Sequence, residues 1–335
     1  MKRKYFVFTL VTIAMLAVMV FTGCSPVEPT PEQVEEETEE EEQISLYFLL
    51  KTLSNPYWVA MKEAIDEAAA EAGVEVYVDA MNSEDDLSGQ LDKLLTAAGQ
   101  DYDGIGIAPI SPTNTIEGIV AANNNGIPVV NIDSKVDAEE LAAAGGYMIG
   151  FATTDNFAVG ATAAQYIIDN NEPGEVAIIE GKTGNFNSEA RKSGAEEALT
   201  EAGFDVVSVQ PADWDRNRAL DVATNFISQY PDLKAIYCAN DTMALGAQEA
   251  VENAGLAEQI MVVGTDGIPE AYQSVKDGAM AATVAQDPGE IGVVCLNMLL
   301  EAVRSGNPGS LDEEAEFQYV DSILVTADNV DDFIE

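Results

Sequence analysis

The 335-residue chain has no histidine, three cysteines, two tryptophans, and only 15 Lys and Arg against 59 Asp and Glu. Without histidine there is no Ser–His or Cys–His catalysis and no His-ligated metal centre. A formal charge of −44 excludes binding to a nucleic-acid backbone, which needs clustered cations. The cysteines form no CxxC and no metal-ligand spacing. Neither catalytic residues nor a metal or other cofactor are therefore expected. What remains is ample for folding: 47% of residues are apolar and 22% charged, and the length exceeds what one hydrophobic core usually supports. Two globular lobes are the default.

The first 23 residues read as an address. Lys2, Arg3 and Lys4 precede a nearly continuous apolar stretch from Tyr5 to Phe21, which ends at Thr22-Gly23 before Cys24. This resembles a bacterial lipoprotein signal in which Cys24 is lipidated and becomes the new N-terminus. A short membrane span is the alternative for an apolar run of this length. Residues 24–42 hold nine Glu, no base, and Pro26, Pro29 and Pro31, so they read as an acidic, self-repelling disordered tether. The remaining 43–335 carries 12 basic and 50 acidic residues, a net −38. A surface this acidic fits solubility in strong salt. The mature protein is expected outside the cytoplasmic membrane, held to it by a lipid, as a monomer.

Cys238 and Cys295 sit in aliphatic runs. Export permits a disulfide, but sequence gives no distance between them, and two separate buried thiols are the plainer reading. Short apolar runs alternate with amphipathic segments along the chain: Ile44–Leu50, Val74–Val78, Ile105–Ala108, Ile127–Ile132 and Met148–Ala152, then Val176–Ile179, Val206–Val209, Ala235–Tyr237, Met261–Val263, Ala281–Ala285 and Ile323–Val325. Repeated β-α-β units predict parallel sheets covered on both faces. The fold class expected is α/β, with two doubly wound parallel-sheet lobes.

In open parallel sheets, ligands bind beyond the carboxyl ends of the strands. There the sequence places Lys51, Asp133, Asn240-Asp241, Asp266 and Gln286. One such residue is no more than a helix cap; five at equivalent places make a polar rim. The two indoles stand nearby, Trp58 in the first turn after Asn55-Pro56 and Trp214 in the polar loop Asp213-Trp214-Asp215-Arg216. Core packing is the usual fate of tryptophan, but neither lies in a periodic apolar run. A sugar has apolar C–H faces and a hydroxyl rim, which flat aromatics and planar polar groups match.

The stretches KTLSNPYW (51–58), QPADWDR (210–216), IYCANDTMA (236–244), VGTDGIPEA (263–271), TVAQ (283–286) and VDSILVT (320–326) resemble the type I periplasmic sugar-binding proteins of the ribose, galactose and allose group, most of all its allose branch. The resemblance covers 44–326. It implies capture of a neutral monosaccharide, D-allose first and ribose or another sugar as the alternative, for an ABC permease. It also implies a three-segment hinge near Thr154, Gln286 and Phe317. The lobes would then be 43–154 plus 287–316 and 155–286 plus 317–335. Carried over by position, sugar contacts fall on Lys51, Asn55, Tyr57, Trp58 and Asp133 in the first lobe, and on Asn185, Arg191, Trp214, Asn240, Asp266 and Gln286 in the second lobe or hinge. Ser134 stands where ribose binders carry Arg and the allose branch Glu, and Tyr57 where relatives commonly carry Phe. Lys51 and Arg191 balance Asp133 and Asp266, which favours a neutral ligand.

Gly181-Lys182-Thr183 lacks the first glycine of a P-loop, and Gly104-Ile105-Gly106 lacks the last glycine of a dinucleotide fingerprint. No DNA-binding segment precedes residue 43. A sensory module feeding a chemoreceptor or receptor kinase is the second reading, and a secreted carbohydrate-active enzyme the third.

Overall fold

Local chemistry fixes the first helix. The Asn55 side chain accepts the Tyr57 N–H at 3.0 Å, Pro56 takes the first helical position, and Gly73 closes the helix at φ 70°. The computed structural model describes residues 43–334. The signal segment 1–23, Cys24 and the tether 24–42 lie outside the described residues.

The first half of the chain runs β1 (Ser45–Thr52), α1 (Pro56–Ala72), β2 (Glu75–Met81), α2 (Leu87–Ala98), β3 (Gly104–Ile107), α3 (Ile116–Asn124), β4 (Val129–Ile132), α4 (Ala138–Ala143) and β5 (Gly150–Thr154). The second runs α5 (Asn156–Asn170), β6 (Glu175–Glu180), α6 (Phe186–Glu201), β7 (Asp205–Pro211), α7 (Arg216–Gln229), β8 (Ala235–Cys238), α8 (Asp241–Asn253), β9 (Met261–Asp266), α9 (Pro269–Lys276) and β10 (Ala282–Ala285). Helix α10 (Pro288–Ser305) then returns to the first lobe, followed by β11 (Glu316–Val320) and β12 (Ile323–Thr326).

The two sheets have matching strand orders, β11-β5-β4-β3-β1-β2 and β12-β10-β9-β8-β6-β7. Alternation along β1 shows why each is covered on both faces. Leu46, Phe48 and Leu50 pack with Met61, Ile65 and Leu299 of α1 and α10, while Tyr47 and Leu49 pack with Leu94 and Ile119 of α2 and α3. In the second sheet Ala177 and Ile179 face Ala219 and Met243, and Val176 and Ile178 face Val159 and Leu199. Cys238 and Cys295 are both buried and free, in separate cores.

Two expectations need correction. Glu316–Val320 pairs in parallel with β5, so residues 317–320 belong to the first lobe. The third crossing therefore falls at Asp321-Ser322 and not near Phe317. The closing strand β12 runs antiparallel to β10, because a chain arriving directly from the neighbouring sheet has no crossover helix to reverse it.

Candidate functional site

The carboxyl edges of the two sheets face each other across a cavity, the place where open parallel sheets bind ligands. It is lined by Lys51, Asn55, Tyr57, Trp58 and Asp133 from the first lobe and by Asn185, Arg191, Trp214, Asn240 and Asp266 from the second. Gln286 stands behind this wall at the hinge, donating Nε2 to Asp266 Oδ1 at 2.7 Å.

Three asparagines reach the cavity because three helices begin there. Asn55, Asn185 and Asn240 each cap a helix through Oδ1, accepting from Tyr57, Ser188 and Met243. Capping and lining are thus one arrangement: the oxygen is held by the helix and the amide nitrogen is left to donate. For Asn240 that Nδ2 is buried with no protein partner.

Asp133 and Asp266 occupy equivalent places, each at the carboxyl end of the fourth strand of its repeat. Both adopt positive φ, 59° and 118°, a backbone state costing a non-glycine residue about 1–3 kcal/mol and concentrated at functional sites. Asp133 Oδ1 accepts from Tyr57 Oη at 2.7 Å, and its Oδ2 accepts from Ser134 Oγ at 2.9 Å and Asn187 Nδ2 at 2.9 Å. Lys51 Nζ donates to Ser134 Oγ at 2.5 Å, so the short serine side chain relays the lysine to the carboxylate. Burial, then the charge of Asp133, pushes the Tyr57 phenol well above its ordinary range, which keeps it a donor.

Asp266 Oδ1 faces Arg191 at 3.1 Å, both side chains buried. Arg191 Nε also donates to Asn156 Oδ1 and its Nη1 to the Ala239 carbonyl, both at 2.7 Å. Burial raises the Asp266 carboxyl to about 6, with Arg191 pulling it down and Asp133 pushing it up. Asp241, beside Asn240, is turned away from the cavity. It holds the loop after β9, accepting from the Gly267 and Ile268 N–H groups and from Thr283, and burial, helped by the charge of Asp266, raises it to about 8.

Both indoles bridge core and cavity. Trp58 is 3% exposed and packs in the first lobe's core, with Lys51 Nζ 5.4 Å from the ring centroid and Tyr57 edge-on at 5.1 Å. Trp214 packs against the second lobe's core on a backbone with φ 53° at Asp213 and 66° at its own position. Its ring covers Gly181, where a Cβ would lie 2.1 Å from the indole, so the residue after β6 must be glycine.

Sequence reasoning missed two lining residues, Glu84 and Asn187. Neither stands directly at a strand end or carries a local signal; Glu84 lies three residues beyond β2 and Asn187 in the first turn of α6. Lys182 spans the cleft mouth, donating to the Glu84 carbonyl at 2.7 Å and to Asp85 at 2.6 Å.

Comparison with known proteins agrees with this architecture. A family model described as a periplasmic binding protein domain matches residues 46–308. The chain is 51% identical over 281 residues to the D-allose-binding periplasmic protein of Escherichia coli, covering 83% of this chain and 90% of that one. It is 33% identical over 281 residues to the ribose import binding protein of Bacillus subtilis, covering 84% and 88%. A solved ABC transporter periplasmic solute-binding protein from Actinobacillus succinogenes, with bound D-allose, superposes with a TM-score of 0.81 at 32% identity, covering 87% of this chain and all of that one.

Proposed function

The chain belongs to the periplasmic binding protein family, and from that premise we propose that it captures a neutral monosaccharide between its two lobes and delivers it to an ABC permease. D-allose comes first, because the 51%-identical relative is named for it and the solved neighbour holds it. The observation that carries the reading is a pair of buried polar atoms at the cavity without protein partners: Asn240 Nδ2, a donor, and Asn187 Oδ1, an acceptor. A hydroxyl both donates and accepts, so a polyol satisfies both, whereas an anionic oxygen cannot donate to the acceptor. The indoles supply flat faces for the sugar's C–H surfaces, and Lys51, Asn55, Tyr57, Trp58, Asp133, Asn185, Arg191, Trp214, Asn240, Asp266 and Gln286 are the proposed contacts.

The protein acts outside the cytoplasmic membrane, as a monomer tethered by a lipid on Cys24. Among the described residues no helix is long and apolar enough to cross a membrane, which is consistent with an anchor elsewhere in the chain. The test uses the two indoles, the only tryptophans present. Titration with D-allose should shift the intrinsic fluorescence in one saturable step, at lower concentration than ribose, galactose or glucose. A tighter response to ribose overturns the choice of sugar; no response and no calorimetric heat with any monosaccharide overturns the function.

A further inference from the structure

We infer that Asn156, which is not among the residues lining the cavity, is a positioning residue: it fixes the Arg191 guanidinium and ties its place to the first hinge crossing. This rests on the sugar-binding reading and deepens it.

Asn156 is the first residue of α5, directly after the crossing from β5, and is 3% exposed between an exposed Asp155 and an exposed Phe157. Capping does not account for that burial. Asp155 caps the helix, accepting the Ala158 N–H at 3.1 Å, and the Asn156 side chain turns inward. Its Oδ1 accepts from Arg191 Nε at 2.7 Å, and its Nδ2 donates to the Thr154 carbonyl at 2.9 Å. The amide stands only this way round, since the flipped form sets its nitrogen against the Nε–H and its oxygen against a carbonyl.

The spacing between the two residues is set by backbone. Helices α5 and α6 are pressed together: a Cβ on Gly160 would lie 1.9 Å from the Arg191 carbonyl oxygen, and one on Gly194 2.1 Å from the Phe157 carbonyl oxygen. Arg191 Nη1 is held by the Ala239 carbonyl and Asp266. With Nε held by Asn156, the planar guanidinium is gripped at two points and its orientation is fixed.

The other end of the amide lies across the hinge. Thr154 ends β5 in the first lobe. Its neighbour Thr153 donates Oγ1 to the Asp133 carbonyl at 2.7 Å, bracing the residue whose φ is 59°. Rotation about the Thr154–Asp155 crossing moves the Thr154 carbonyl against Asn156, and Asn156 acts on Arg191. Opening loosens the guanidinium and closure sets it, which adds to the sugar affinity of the closed state.

The full chain, Asn156→Ala, Arg191→Lys and the double variant should be titrated by calorimetry with whichever of D-allose, ribose, galactose and glucose the parent binds most tightly. Arg191→Lys keeps a charge for Asp266 but has no donor at the Nε position. Asn156→Ala should weaken binding about 10–30-fold in the parent and less than about 3-fold in Arg191→Lys. Stopped-flow fluorescence should place the loss in the parent background in faster dissociation, with association within about 2-fold. Arg191 lies 5.9 Å from the Trp214 ring, so sugar-free Asn156→Ala should differ from the parent in indole emission, while the double variant matches Arg191→Lys. Melting of the ligand-free variants checks the fold, and Asn156→Ser replaces Asn156→Ala if the latter fails to fold. Parent-like affinity in Asn156→Ala, or an equal loss in both backgrounds, overturns the assignment while leaving the sugar-binding reading intact. A loss confined to association overturns the tie to the hinge. A parent that binds none of the four sugars overturns the sugar-binding reading, and this one with it.

Discussion

Arg191 is the cation whose removal should be felt in both folding and binding, and the two effects can be separated. Its guanidinium satisfies three buried acceptors: Asn156 Oδ1, the Ala239 carbonyl and Asp266 Oδ1. Arg191→Met keeps most of the apolar stem and removes all three donors, leaving Asp266 buried with Gln286 as its remaining donor and Asp133 nearby. Breaking a buried ion pair from one side costs about 3–5 kcal/mol, which at roughly 2–4 °C per kcal/mol lowers the melting temperature by about 6–20 °C.

The sign of the pH dependence follows from Asp266. Its carboxyl stands at about 6 in the folded protein against about 3.9 when unfolded. Between those values the folded state binds more protons, so this group contributes stability at low pH that is lost as pH rises through about 6. Losing Arg191 removes the one charge that lowers it, so the variant holds its proton to still higher pH. The deficit of Arg191→Met should therefore be largest at pH 8 and much smaller at pH 5. Adding Asp266→Asn should restore most of the stability at pH 8 but none of the sugar affinity, since both groups are proposed ligand contacts. Thermal melts at the two pH values, with calorimetry on each variant, decide it. A single variant that melts with the parent at pH 8, or a double variant no better than the single, would refute the reasoning.

Lys182 joins the lobes at the cleft mouth, and because Asp85 is well exposed most of its effect should come through the Glu84 carbonyl. Lys182→Gln should weaken D-allose binding about 3–10-fold at low salt, with the difference shrinking in molar salt; equal affinities in both proteins would remove the clasp. The net −38 on residues 43–335 should make the parent's melting temperature rise as salt goes from millimolar to molar, and a melting temperature indifferent to salt would count against an acid-driven salt requirement.

Much of the fold was legible because its signals are local. Buried parallel strands appear as short apolar runs, and the Asn-Pro before α1 announces a helix start. Strand β11 was not legible: Glu316, Phe317, Gln318 and Tyr319 are all exposed on a sheet edge, so no buried run marks them. Their pairing with β5 depends on a partner more than 160 residues away in sequence. That pairing moves the third hinge segment to Asp321-Ser322, beyond the reach of composition or periodicity.

The candidate site divides along the same line. Lys51, Asp133, Asn240 and Asp266, which line the cavity, are legible because the end of a strand is a local property, and in open parallel sheets such ends on one edge face the cleft; Gln286, read the same way, stands one layer back on Asp266. The matching strand orders of the two sheets explain why Asp133 and Asp266 arrive as a pair: each repeat places one aspartate at the end of its fourth strand, both in positive φ. Their charges are not equivalent, however. Asp266 is answered by a guanidinium from its own lobe, while Asp133 takes hydrogen bonds from Tyr57 and Ser134 of its own lobe and from Asn187 of the other. The second lobe thus neutralises its carboxylate internally, and the first leaves part of that task to closure. Asn187 and Glu84 escaped the sequence reading for this reason: what gives each its place at the cavity is the meeting of two lobes, and no segment of the chain encodes that meeting by itself.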